Sequence, residues 1–193
     1  MTSLNDMLNS HFAQRVPNPQ LWIVTANGLV SAAECLAKDI ETFWQALDRV
    51  NDGTPIPLSV MKGSEYQNTF LMLYGFAIEN FSKAYAVTQL NTAERIVLRL
   101  GKYPGRLKSH RIKDLVAKEL GYKLDLQEDE LLMRLEAAVT WAGRYPVSTG
   151  PARSTETREK FLMMPQGIRG DDLPRTRELT GRIKERAEEM IKV

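Results

Sequence analysis

Cysteine is almost absent from the chain. Cys35 is the single thiol among 193 residues, which excludes an internal disulfide and leaves a cysteine-based zinc site without enough ligands. Histidine is nearly as scarce: His11 and His110 are the only two, and their spacing to each other and to Cys35 fits no recognised metal motif, so no metal is expected. No glycine-rich loop of the P-loop or Rossmann kind occurs, and no cofactor is expected. No apolar run approaches the roughly 20 residues that span a bilayer. The opening MTSLNDMLNS lacks the basic-then-apolar layout of a signal peptide. A cytoplasmic protein without a membrane partner is the expectation. Charge of one sign is missing too: 26 basic against 24 acidic side chains leave a net charge of +2. No global field therefore recruits nucleic acid or an anionic surface, and any such binding must come from a local cluster.

What is present is helical periodicity, in a chain whose length suits one helical domain with an appendage. Asn18 followed by Pro19 is a cap and first-turn pair. From there Trp22, Ala26, Leu29, Ala33, Leu36, Ile40, Trp44 and Leu47 hold one stripe to about Val50, with a bend allowed at Gly28. Cys35 falls on or near that apolar face, where a thiol is inert packing. Pro55 and Pro57 make the next segment a loop. Ser64 with Gln67, Asn91 with Glu94, and Asp125 with Glu128 each have the spacing of a capping box. Ser109 is placed to cap a helix carrying Ile112, Leu115 and Val116, and Gly143 with Pro146 ends the helix of Leu131, Leu132 and Leu135. No alternating β-branched run is long enough to form a strand. The prediction is all-α: an antiparallel bundle of about five main helices over residues 1–147, then a polar linker and a C-terminal helical arm over 148–193. The surplus apolar face on the long first helix and on the arm points to a homodimer or a helical protein partner.

Two features stand out from that background. Phe70, Leu73, Ala77, Phe81 and Tyr85 form an apolar stripe beside which Glu79 and Lys83 sit one turn apart, in the order that favours an ion pair worth about 0.2–0.5 kcal/mol if it is exposed. From Arg95 to Lys113 there is no acidic residue but seven cations: Arg95, Arg99, Lys102, Arg106, Lys108, Arg111 and Lys113. Lys102, Arg106, Lys108 and Arg111 with the ring of Tyr103 make a candidate phosphate-binding and base-stacking segment for RNA or another polyanion; a solvated basic face is the alternative. His110 near Arg106 could move protons while the guanidinium steadies a phosphate, or it is a surface or helix-cap histidine. Glu79 and Lys83, together with Arg144 and Tyr145 at a helix end, are candidate ligand contacts, though an arginine at a helix end also complements the helix dipole.

The block GFAIENFSKA, Gly75 to Ala84, resembles the small-residue, Glu, then Lys-Ala helix of the HEPN (higher eukaryotes and prokaryotes nucleotide-binding) superfamily. SHRIKDLVAKELG, Ser109 to Gly121, is similar to the later helix of such domains that opens on a histidine, with His110, Asp114 and Leu115 in place. WAGRYPV, Trp141 to Val147, resembles helix ends in uncharacterised bacterial members. The resemblance spans about residues 64–147. It implies an antiparallel helical bundle, frequent homodimers and, in active members, metal-independent RNA cleavage by Arg, four to six residues, then His. This chain departs from that pattern: YPVSTG follows Arg144, no histidine follows His110, and only three residues lie between Arg106 and His110. The expected function is a non-catalytic helical assembly module that holds RNA or another polyanion, the alternative being a metal-independent endoribonuclease using Arg106 and His110.

Overall fold

The computed structural model describes residues 4–142 and 170–192. Among them there is no strand, and the α-helices are α1 (Leu4–Arg15), α2 (Pro19–Asp48), α3 (Lys62–Ala86), α4 (Thr92–Arg99), α5 (Gly105–Lys108), α6 (Ile112–Glu119), α7 (Leu126–Ala137) and α8 (Asp172–Lys192).

Local chemistry sets most of the starts. Asn18 is extended and its Oδ1 accepts from the Gln20 amide at 3.0 Å, which launches the 30-residue α2 with Pro19 in its first turn. Asn91 with Glu94 and Asp125 with Glu128 form complete reciprocal capping boxes for α4 and α7. Two expected caps fail. α3 begins at Lys62, before Ser64, and the Ser64 hydroxyl donates back to the Met61 carbonyl at 2.7 Å. α6 begins after Arg111, and Ser109 Oγ instead accepts from the Arg111 amide at 3.1 Å. Gly28 does not interrupt α2. The α2 to α3 connection holds a 3-10 turn at Leu58–Val60.

α2 and α3 run antiparallel, since Trp22 lies by Lys83, Glu34 by Tyr74 and Asp39 by Lys62. Their crossing is tight at Gly63, where a Cβ would stand 2.6 Å from that of Phe43. α3 is the central element. Its Phe70, Leu71, Tyr74, Ala77, Ile78, Phe81 and Ala84 share a core with Ile112 and Val116 of α6, Leu131, Leu132 and Leu135 of α7, and Leu173, Leu179, Ile183 and Ala187 of α8. Buried apolar faces on five helices explain how elements of 8 to 30 residues are stable together. A smaller core beneath α1, α4 and α5 joins Val16, Ala86, Val87, Leu90, Leu98 and Leu107. Cys35 is exposed, contrary to a packed thiol; its Sγ donates to the Ser31 carbonyl at 3.4 Å.

α8 is tied down by charge as well as packing. Arg134 of α7 meets the fully buried Asp172 at 2.6 Å. Arg177 clamps Glu34 and Glu41 of α2, both at 2.8 Å, while the buried Tyr74 hydroxyl donates to Glu34. Arg177 holds the Glu34 carboxyl below its ordinary range, and burial together with Glu34 pushes the Tyr74 phenol up. No helix among the described residues is long and apolar enough to cross a membrane.

Candidate functional site

An ion pair one helical turn apart is ordinary on a surface; Glu79 and Lys83 are not on the surface. Their side chains are 6% and 4% exposed, and Lys83 Nζ stands 2.6 Å from Glu79 Oε1. The expectation of an exposed pair beside the core is corrected: the pair is inside, with Lys83 Nζ 6.0 Å from the centroid of the Trp22 ring. Such a pair costs desolvation that apolar side chains would not, so stability alone does not account for it.

The third member comes from the turn between α5 and α6. His110 Nδ1 lies 3.0 Å from Glu79 Oε2 and 3.1 Å from Oε1, and the His110 side chain is 62% exposed. Two local features bring it there. Ser109 Oγ closes a turn on the Arg111 amide, and Ile112, two residues on, is buried against α3. Gly75 permits that approach: it is one turn before Glu79, and a Cβ there would lie 3.2 Å from Ile112 Cδ1, 3.1 Å from the Leu135 carbonyl oxygen and 2.5 Å from Val139 Cγ2. Val139 belongs to a π-helical turn, Ala138–Ala142, that continues α7.

In the neutral ring Nδ1 facing a carboxylate carries the proton, which leaves Nε2 as an acceptor on the exposed side. Lys83 balances the charge of Glu79 from within. The arrangement is a fixed imidazole, oriented by a buried carboxylate, with one nitrogen available to bind a donor or to exchange a proton.

Arg106 is elsewhere. Its Nε donates to Glu119 at 3.3 Å and its Nη2 pairs with the same carboxylate, while Nη1 reaches the Gln89 carbonyl at 3.2 Å and Glu94 at 3.8 Å. The Glu119 contact raises its pKa. Arg106 and His110 therefore serve different carboxylates, and Arg106 ties α4, α5 and α6 together. The other cations divide similarly. Arg111 meets Asp114 at 3.0 Å and Lys113 meets Asp129 at 2.5 Å, whereas Arg95, Arg99, Lys102 and Lys108 are exposed and have no ion-pair partner among the described residues, Arg95 being held by its Nε on the Leu90 carbonyl. Tyr103, 40% exposed, packs edge-on against Phe12 with ring centroids 4.9 Å apart. Arg144 and Tyr145 lie outside the described residues.

One carboxylate not singled out by the sequence flanks the site. Glu136 of α7 accepts from the Lys113 amide at 3.4 Å, in the first turn of α6, and burial raises its pKa. No group of three or more metal-ligating side chains occurs among the described residues. No family model, curated protein or solved structure matches the chain.

Proposed function

We propose that the chain is a HEPN-like helical module that assembles with itself and holds single-stranded RNA on the exposed basic turn running from the end of α4 to the start of α6. The observation that carries the reading is the trio Arg99, Lys102 and Lys108: exposed cations without an ion-pair partner among the described residues, within five positions of the exposed Tyr103 in the sequence and ahead of the oriented imidazole of His110. Phosphate contacts by such cations release condensed counter-ions, and an aromatic face stacks a base without demanding its sequence. Arg106 is a strut in this account. The meeting of Glu79 and Lys83 from one block of the HEPN resemblance with His110 from another supports that part of the reading. Self-assembly is supported by Leu4, Met7 and Leu8, an apolar stripe on α1 that is exposed to solvent.

The test is replacement of Lys102 and Lys108 together by glutamine. With about 0.7 counter-ions released per phosphate on a single strand, the slope of log affinity against log salt becomes shallower by about 1.4, with helix content unchanged. An unchanged slope rejects this surface.

A second reading, metal-independent endoribonuclease activity, is favoured by one observation, the Glu79-held His110 with its open Nε2. It uses His110 with the Glu79 and Lys83 pair in place of Arg106. Incubation with mixed RNA, with and without chelator, decides it: chelator-resistant cleavage lost in His110→Ala establishes a nuclease, and intact RNA rejects one.

A further inference from the structure

α1 presents three faces. Phe12 and Val16 pack on the small core, Leu4, Met7 and Leu8 face solvent, and the third borders a groove of about 510 Å³ shared with α4. From α1 and the turn after it the groove is lined by Asp6, Asn9, Ser10, Ala13, Gln14 and Pro17; from α4 it is lined by Arg95, Leu98 and Arg99. Its size is in the range that encloses small organic ligands.

The lining is sorted by chemistry. Arg95 and Arg99 are one turn apart on α4, so their guanidinium groups share one side. Arg95 Nε donates to the Leu90 carbonyl at 3.0 Å, which fixes the head group and leaves both Nη nitrogens for another acceptor. Arg99 has no ion-pair partner among the described residues. Ala13, Pro17 and Leu98 supply apolar surface, Asn9, Ser10 and Gln14 supply amide and hydroxyl groups, with Gln14 Nε2 donating to Ser10 Oγ at 3.4 Å, and Asp6 adds one carboxylate, which is itself engaged, against the two guanidinium groups. Planar cationic forks, an apolar surface and mixed donors and acceptors are what the phosphate, the base face and the base edge of an unpaired nucleotide each require.

We propose that this groove seats one nucleotide unit of the bound single strand, Arg95 and Arg99 taking its phosphate and the α1 wall its sugar and base. The inference rests on the RNA reading above and adds α1, which lies outside the basic segment. An acidic peptide would also use the two arginines and could bond to the amide groups, but its carboxylates bring no planar face for the apolar surface of Ala13, Pro17 and Leu98.

The probe is a fluorescent eight-residue oligouridine, with a 4-thiouridine version for photocrosslinking. In the full chain, Arg95→Gln with Arg99→Gln weakens binding about ten-fold, as loss of charge-assisted hydrogen bonds does. Ser10→Trp fills the groove from an exposed position, so the fold is undisturbed, and it weakens binding without altering charge. Crosslinks fall on the peptide spanning residues 9–17. Wild-type affinity in Ser10→Trp, or crosslinks confined to residues 102–111, overturns the groove while leaving the RNA reading intact. Absence of oligouridine binding by the unaltered protein overturns both, and binding of a poly-glutamate peptide abolished by the arginine changes but not by Ser10→Trp assigns the groove to an acidic protein segment instead.

Discussion

Lys83→Met is the most informative single change to the buried site. The side chain is 4% exposed and its Nζ touches Glu79 Oε1 at 2.6 Å, so methionine preserves most of the packing but removes the cation from a carboxylate that stays inside. Breaking a buried pair in this way costs about 3–5 kcal/mol, against a total stability on the order of 5–15 kcal/mol for a domain. With a urea dependence of about 2.5 kcal/mol per molar, the midpoint falls by about 1.5 M. Replacing both partners, Glu79→Met with Lys83→Met, removes the buried carboxylate that would otherwise keep only the exposed His110 as a partner, and restores most of that loss, so the two changes are strongly non-additive. Urea denaturation followed by circular dichroism on the two single variants and the double variant measures the coupling. A loss under about 1 kcal/mol in Lys83→Met, or a double variant as unstable as the sum of the singles, refutes a desolvated pair and returns it to the exposed class.

Gly75→Ala should destabilise by about 1–3 kcal/mol through overpacking against Val139 and Ile112, and because Ile112 anchors the turn, the His110 ring signals in NMR should shift with it; Gly28→Ala, with open space around its Cβ, should instead stabilise by up to about 1 kcal/mol. Arg134→Met removes one charge-assisted hydrogen bond from the fully buried Asp172 and should cost about 1.5–3 kcal/mol, with protease cleavage within residues 170–192 rising as α8 loosens. Glu34 has a depressed folded pKa, so its contribution is present above the ordinary value of 4.5 and is lost as pH falls through the lower folded value. Glu136 is raised, so its contribution is present below 4.5 and declines as pH rises through its folded value. Glu34→Gln should flatten the acid limb of a stability profile and Glu136→Gln the limb just above it; matching profiles in both variants and the unaltered chain contradict these assignments.

The helical architecture is legible where capping chemistry is local. Asn18, Asn91 and Asp125 bond to amides two or three residues away, so short-range spacing contains the information. Ser64 and Ser109 have the right residue type, yet the chain around them starts its helices elsewhere because Gly63 and Ile112 are positioned by contacts with α2 and α3. α1 escapes a periodicity reading because its regular apolar spacing, Leu4, Met7 and Leu8, faces solvent and it buries no residue within its own span. For the site, Glu79 and Lys83 are readable as a pair, but the His110 contact bridges 31 positions, and only the Gly75 to Glu79 spacing hints that something approaches that face. The basic segment is visible as composition; that Arg106 is taken up by Glu119 and Glu94 while Arg99, Lys102 and Lys108 have no ion-pair partner among the described residues depends on where α4, α5 and α6 meet.

The central proposal, that this chain holds single-stranded RNA through a few exposed cations without cutting it, is tested most directly by anisotropy of labelled single-stranded RNA across a salt series, with the RNA recovered and sized afterwards. Three phosphate contacts predict a slope near −2, about a fifteen-fold loss of affinity between 50 and 200 mM salt, and full-length RNA at the end. A slope near −5 would mean that all seven cations engage and that the internal ion pairs of Arg106, Arg111 and Lys113 do not hold. No salt-sensitive binding at low ionic strength would contradict the account outright.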